Sequence, residues 1–166
     1  TTPLDPRALA AMLPYLQGAF GNAASRNHRL GCEAAQAVEQ ARSQVASLIA
    51  ADPREIVWTS GATESNNLAI KGLSACPAYA GKRHLITALT EHHAVLDPCR
   101  ALESQGYEVT YLTVDSQGRI DLEALRGAIR DDTLLVSIMH ANNETGVLHP
   151  LAEISALCGE AGVLLH

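Results

Sequence analysis

Residues 60–67 read Ser60-Gly61-Ala62-Thr63-Glu64-Ser65-Asn66-Asn67, and this stretch joins two segments of different periodicity. It follows an apolar, β-branched run that predicts a strand over Glu55 to Thr59. It leads into a helical pattern over Asn66 to Ser74. The stretch therefore predicts a strand, a tight turn of small residues and the start of a helix.

A turn of this kind is suited to binding a phosphate. Gly61 and Ala62 let the backbone approach an anion closely. The hydroxyls of Ser60 and Thr63, together with the first free N–H groups of the helix, would supply donors. The same residue types also serve simply to start a helix, so the turn alone leaves both interpretations open.

Strand and helix patterns alternate along the rest of the chain. Further strands are predicted over His84–Ala88, Glu108–Val114, Leu134–His140 and Val163–Leu165. Helices are predicted over Pro6–Leu16, Gly31–Ala50, His93–Glu103, Leu122–Ile129 after the N-cap Asp121, and Leu151–Cys158 after Pro150. Alternation of this kind predicts an α/β fold with a mainly parallel sheet flanked by helices.

Composition limits the classes of protein to which the chain can belong. Its 166 residues suffice for one domain with a core, and a hydrophobic content of 47% is ordinary for a soluble globular protein. A formal net charge of −6 without a run of basic residues argues against a nucleic-acid partner. Since neither a signal peptide nor an apolar segment of membrane length is visible, we expect a cytoplasmic protein with no membrane partner.

The four cysteines do not form a recognisable framework. Cys32, Cys76, Cys99 and Cys158 are widely spaced and include no C-x-x-C pair. The spacing predicts neither a zinc site nor a set of disulfides, and we expect no metal. We interpret these residues as small buried side chains or idle thiols.

Polar residues follow the predicted strands at the edge where a parallel sheet binds ligands. His92 comes after the second strand and offers an imidazole that can stack on a ring and move a proton. Asn143 comes after the fourth and can donate from its amide to a phenolate oxygen. With the phosphate turn, these residues supply three features that pyridoxal 5'-phosphate requires. A helix cap at His92 and an ordinary turn at Asn143 are the alternatives.

Five motifs together indicate a family. The motifs are Thr1-Thr2-Pro3, Gly21-Asn22-Ala23-Ala24-Ser25 with His28, Thr59 to Asn67, Thr90-Glu91-His92, and His140 to Gly146. Their order and approximate spacing resemble those of the cysteine desulfurases, which are class V members of the aminotransferase superfamily with pyridoxal-phosphate fold type I. The chain resembles the amino-terminal part of such an enzyme over essentially its whole length.

The resemblance implies a cofactor site and a reaction. Gly61, Ala62 and Thr63 would bind the phosphate of pyridoxal 5'-phosphate, and Asn143 would bond its phenolic oxygen. His92 would stack on the pyridine ring and act as the catalytic residue in proton transfer. The implied reaction releases sulfur from L-cysteine to give alanine and an enzyme persulfide. A sulfur-acceptor or scaffold protein would then take the sulfur for iron–sulfur cluster assembly or thiolation, and the enzyme would be a homodimer.

The chain also departs from this family, whose members are much longer. The resemblance implies an amino-terminal segment over residues 1–30, an incomplete cofactor-binding large domain over 31–166, and no small domain. Neither Lys71 nor Lys82 matches the lysine that holds the cofactor, and no cysteine matches the persulfide position. We therefore expect this chain alone to be inactive. A selenocysteine lyase or another class V lyase, and a non-catalytic module that binds a partner, are the alternatives.

Overall fold

The computed structural model describes residues 2–166, which form two units. The first unit ends at Trp58 and contains the helices α1, Pro6–Gln17, and α2, Arg29–Leu48. The second unit is Thr59–His166 and contains the sheet. The division into residues 1–30 and 31–166 stays a prediction.

The helices of the first unit begin at side-chain caps. The carboxylate of Asp5 accepts a hydrogen bond from the backbone N–H of Arg7, 2.7 Å away, and so starts α1. His28 Nδ1 accepts from the N–H of Gly31 at 3.1 Å and starts α2. At Gly31 a Cβ would collide with the carbonyl of Ser25, so this close approach of the loop to the helix requires glycine.

The strand predicted over Glu55 to Thr59 is wrong. A short 3₁₀ turn, Pro53–Glu55, occupies its start, and residues 56–59 have no regular structure. The guanidinium of Arg42 donates to the carbonyl of Ile56 and lies over the Trp58 ring, 5.7 Å from its centroid. A strand requires a neighbouring backbone with which to pair, and no strand within residues 2–166 pairs with this segment.

The second unit contains a four-stranded parallel sheet in the order β2-β1-β3-β4. The strands are β1 His84–Ala88, β2 Glu108–Leu112, β3 Thr133–Ser137 and β4 Leu164–Leu165. The helices are α3 Ala62–Ser74, α4 His93–Glu103, α5 Leu122–Ala128 and α6 Leu151–Ala161. This architecture confirms the predicted α/β fold with a parallel sheet flanked by helices.

Alternate residues of the central strands enter two different cores. Ile86 and Val136 pack with the α5 and α6 residues Leu125 and Ile154. Their neighbours along the strands, such as Leu85, enter a second cluster with Ile70 of α3 and Val95 of α4. Because successive side chains of a strand point to opposite faces, the central strands are buried on both sides.

No helix within residues 2–166 has the length and the apolar character needed to cross a membrane. In that same range no group of three or more His, Cys, Asp and Glu side chains could hold a metal ion. All four cysteines are free, and Cys99 and Cys158 are buried, as we predicted for some of these thiols. Lys82 is half-buried, and its Nζ donates to the carbonyl of Thr133 at 2.9 Å.

Candidate functional site

The amino end of α3 carries free backbone donors. Gly61 is its N-cap residue and supplies no side-chain cap. The first backbone bond runs from the N–H of Ser65 to the carbonyl of Gly61, over 3.1 Å. The N–H groups of Ala62, Thr63 and Glu64 thus have no partner among the described residues. A Cβ built on Gly61 would meet nothing within 4 Å, so the turn is open.

Hydrogen bonds between Ser60 and Glu64 determine which hydroxyl of the turn remains free to donate to a ligand. Glu64 accepts from both the backbone N–H of Ser60, at 2.7 Å, and its hydroxyl, at 2.6 Å. These bonds, the hydroxyl first, hold the pKa of the Glu64 carboxyl below its ordinary value. The Ser60 hydroxyl therefore cannot also donate to a phosphate, contrary to our expectation. The exposed hydroxyl of Thr63 has no hydrogen-bond partner in the described part of the chain.

His92 caps the next helix. Its side chain accepts, through Nδ1, a hydrogen bond from the backbone N–H of Ala94 at 3.0 Å, which starts α4 at His93. A neutral ring that accepts at Nδ1 carries its proton on Nε2. The imidazole is exposed, and its centroid lies 6.3 Å from that of His93 in an edge-to-face arrangement. His92 is therefore a helix cap whose ring is also available to a ligand.

Thr63 and His92 line the same groove, which has a volume of about 300 Å³. The structure thus brings the predicted phosphate turn and the predicted imidazole together. Four further polar or charged side chains line this groove, namely Asn67, Lys71, His93 and Asp97. Lys71 is exposed within α3.

Asn143 lies in the loop that follows β3. Its side chain is exposed and makes no hydrogen bond within residues 2–166, so its amide is free to donate. It does not line the groove that Thr63 and His92 share. The preceding residue, Asn142, donates from Nδ2 to the carbonyl of Thr90 at 3.0 Å. This bond joins the loop of Asn143 to the loop of His92.

Glu91 is a residue of this region that the sequence reasoning missed. It is only 7% exposed, and its Oε1 accepts from the backbone N–H of Met139 at 2.6 Å. Burial raises the pKa of its carboxyl above the ordinary value. An acidic residue next to a candidate catalytic histidine was the available signal. β3 ends at Ser137, before the predicted His140, and the N–H of Met139 bonds to Glu91 and not to a neighbouring strand.

Comparison with known proteins places this geometry in a family. The class-V aminotransferase family matches residues 1–166. The chain is 58% identical over 166 residues to cysteine desulfurase IscS of Anaeromyxobacter sp. (strain K). It is 57% identical over 168 residues to cysteine desulfurase IscS of Salmonella arizonae. Both alignments cover 100% of this chain and 41% of the relative.

The chain also resembles solved structures over its whole length. SspA in complex with cysteine is 42% identical, with a TM-score of 0.90, over 100% of this chain and 47% of that chain. DndA from Streptomyces lividans is 46% identical, with a TM-score of 0.89, over 100% of this chain and 46% of that chain. The chain spans less than half the length of these relatives. Since the family match extends over every residue, the chain belongs to the class-V aminotransferase family.

Proposed function

We propose that this chain is part of a cysteine desulfurase, which uses pyridoxal 5'-phosphate to release sulfur from L-cysteine and yields alanine and an enzyme persulfide. The observation that carries the proposal is the groove in which the start of α3 and the imidazole of His92 meet. The identity of 58% with a protein named cysteine desulfurase supports the substrate.

The start of α3 fits a phosphate group. The free N–H groups of Ala62 and Thr63 and the Thr63 hydroxyl are donors without partners in the described range. The helix dipole adds a partial positive charge there. The open space at Gly61 leaves room for the anion. We therefore assign the binding of the cofactor phosphate to Gly61, Ala62 and Thr63.

His92 and Asn143 would hold the ring of the cofactor. The imidazole can stack on the pyridine, and the free amide of Asn143 can donate to the phenolic oxygen. When bound, the cofactor withdraws electrons from the substrate. The bond from Ala94 means that neutral His92 presents Nε2–H as a donor. To accept a proton at Nδ1, the ring would give up this capping bond.

The complete activity belongs to a longer polypeptide in this proposal. Lys71 lines the groove from the middle of α3, and Lys82 donates to backbone carbonyls. Neither matches the position of the lysine that holds the cofactor in the cysteine desulfurases, so we assign that lysine to neither. Burial raises the pKa of the Cys99 thiol to about 11, which leaves it a poor nucleophile. A sulfur-acceptor or scaffold protein, a role in iron–sulfur cluster assembly, a homodimeric state and a cytoplasmic location complete the proposal.

The experiment uses the full-length protein that contains this chain. With pyridoxal 5'-phosphate we expect a visible absorption band and stoichiometric release of alanine from L-cysteine. The variant Asn143→Ala, which removes the amide, should shift the band and lower turnover. No band with the wild-type protein would contradict the cofactor assignment. Alanine release from selenocysteine but not from cysteine would contradict the substrate assignment.

A further inference from the structure

We propose that Asn142 and Glu91 are positioning residues that fix the separation of His92 and Asn143. This inference rests on the proposed function, because it assigns a role to the spacing of two residues that would hold the cofactor. We call the two side-chain bonds that they make, from Asn142 to Thr90 and from Met139 to Glu91, the loop ties.

Asn142 uses both ends of its amide. Oδ1 accepts from the backbone N–H groups of Glu144 and Thr145, each 2.9 Å away, and so shapes its own loop. Nδ2 donates across to the carbonyl of Thr90 at 3.0 Å. One side chain therefore both folds the loop that carries Asn143 and attaches it to the neighbouring loop.

Glu91 makes the second tie in the opposite direction. It belongs to the loop after β1, and its buried carboxylate accepts from Met139 in the segment after β3 at 2.6 Å. Hydrogen bonds to a charged acceptor are among the stronger ones in proteins. The two ties thus connect the same two loops, one through an amide donor and one through a carboxylate acceptor.

The loop ties continue the strand pairing beyond the end of the ladder. The last paired residues of β1 and β3 are Thr87 and Ser137. Beyond them backbone pairing between the two strands stops, and the side chains of Glu91 and Asn142 take over. The loops are thereby held together where regular structure no longer does so.

Each tie lies next to a proposed cofactor residue. His92 directly follows Glu91, and Asn143 directly follows Asn142. A change in the separation of the loops would therefore move the imidazole relative to the amide. Reaction rates depend steeply on such placement, because a misplacement of about 1 Å can cost on the order of a hundredfold.

The variant Asn142→Asp separates the two roles of this side chain. Aspartate keeps an acceptor for Glu144 and Thr145 but cannot donate to Thr90, and it places a negative charge beside that carbonyl. In the full-length protein with bound cofactor, we expect kcat to fall about tenfold or more with a smaller change in KM. We also expect a shifted cofactor absorption maximum, which a purely structural role would not cause. Wild-type turnover and spectrum in Asn142→Asp would overturn the proposal.

Glu91 supplies the matched pair of variants. Glu91→Gln keeps an acceptor at the same reach and should retain turnover within about twofold, since a neutral acceptor still bonds Met139. Glu91→Ala removes the acceptor and should lose activity as Asn142→Asp does. Equal activity of the two variants would contradict the proposal.

Amide exchange tests the ties without the cofactor. The N–H of Met139 should exchange faster in Glu91→Ala than in Glu91→Gln or the wild type, because only the alanine variant frees it. Unchanged exchange would overturn this tie even if the cofactor binds. A wild-type protein that fails to bind pyridoxal 5'-phosphate but shows the exchange difference would instead contradict the proposed function.

Discussion

His92 Nδ1 and the backbone N–H of Ala94 lie 3.0 Å apart, so the imidazole proposed to contact the cofactor also closes the first turn of α4. A side chain with two roles complicates mutagenesis, because loss of the cap and loss of the ring have different consequences. The ring faces a groove that it shares with Thr63. Substitutions at this position must therefore separate helix stability from ligand contact.

The pair His92→Asn and His92→Ala makes this separation. Asparagine is a good N-cap residue, so the free energy of unfolding of His92→Asn should stay close to that of the wild type. Alanine cannot cap, and His92→Ala should lose about 1 kcal/mol in urea denaturation. In the full-length protein both variants should lose the ring contact and bind pyridoxal 5'-phosphate more weakly. Wild-type cofactor affinity in His92→Asn would show that the ring serves only as a cap.

Glu91→Gln should stabilise the chain at neutral pH. Burial raises the pKa of Glu91 above its ordinary value of 4.5, so its contribution to stability is fully present below that value. The contribution is lost as the pH rises through the raised pKa, because the buried group must then ionise. The variant should therefore unfold at a higher urea concentration than the wild type at pH 7, and the difference should shrink towards pH 4.5. If the difference in stability between Glu91→Gln and the wild type does not change with pH, ionisation of the buried Glu91 carboxyl is not its cause.

Glu64→Gln is the matched control, because the pKa of Glu64 is shifted in the opposite direction from that of Glu91. Hydrogen bonds from Ser60 lower the pKa of the Glu64 carboxyl from its ordinary value of 4.5. Its contribution to the stability of the fold is therefore present above pH 4.5 and is lost as the pH falls through the lowered pKa. The control should be less stable than the wild type at pH 7 and approach it in acid. The same urea titrations measure both variants.

The elements of the second unit could be predicted largely from sequence. β1 and α4 have the predicted bounds, and Asp121 caps α5 as expected, because each is encoded by local periodicity or capping. The prediction of a strand over residues 55–59 was wrong. Its β-branched pattern is genuine, but a strand also requires a pairing partner, which lies outside local sequence.

The sequence could name candidate site residues but not the contacts that they make. Thr63, His92 and Asn143 follow from motifs, since each stands at the start of a helix or after a strand. The tie from Glu91 to Met139 joins residues 48 positions apart, and no local pattern encodes it. The engagement of Ser60 by Glu64 is local, yet Ser60 could equally have faced a ligand. Side-chain choices of this kind require the three-dimensional structure.

His149→Met should reduce the sensitivity of the chain to acid. His149 is 3% exposed, neither of its ring nitrogens has a hydrogen-bond partner within the described residues, and burial lowers its pKa. Its contribution to stability is present above the ordinary pKa of 6.5 and is lost as the pH falls through the lowered value. Methionine fills similar space without a polar atom, so the variant should lose less stability between pH 7 and pH 5 in urea titrations.

His84 provides the contrast. Burial, and then the charge of Arg130, lower its pKa as well, but its ring nitrogens bond the hydroxyls of Thr133 and Thr110 at 2.8 Å each. Substitution of His84 by methionine would leave two hydroxyls without this partner and should destabilise the chain at every pH. A His149→Met variant as unstable as His84→Met would contradict the distinction.

The four thiols should differ in reactivity with a thiol reagent such as a disulfide dye. Cys32 is exposed and should react first in the folded chain. Cys99 and Cys158 are 0% and 1% exposed, and burial raises the pKa of both thiols, that of Cys99 to about 11. Both should react only when the second unit opens, so that their rates increase with urea while that of Cys32 does not. Cys32→Ser should remove the fast phase, and rapid labelling of Cys99 without denaturant would contradict its burial in the core between α4 and the sheet.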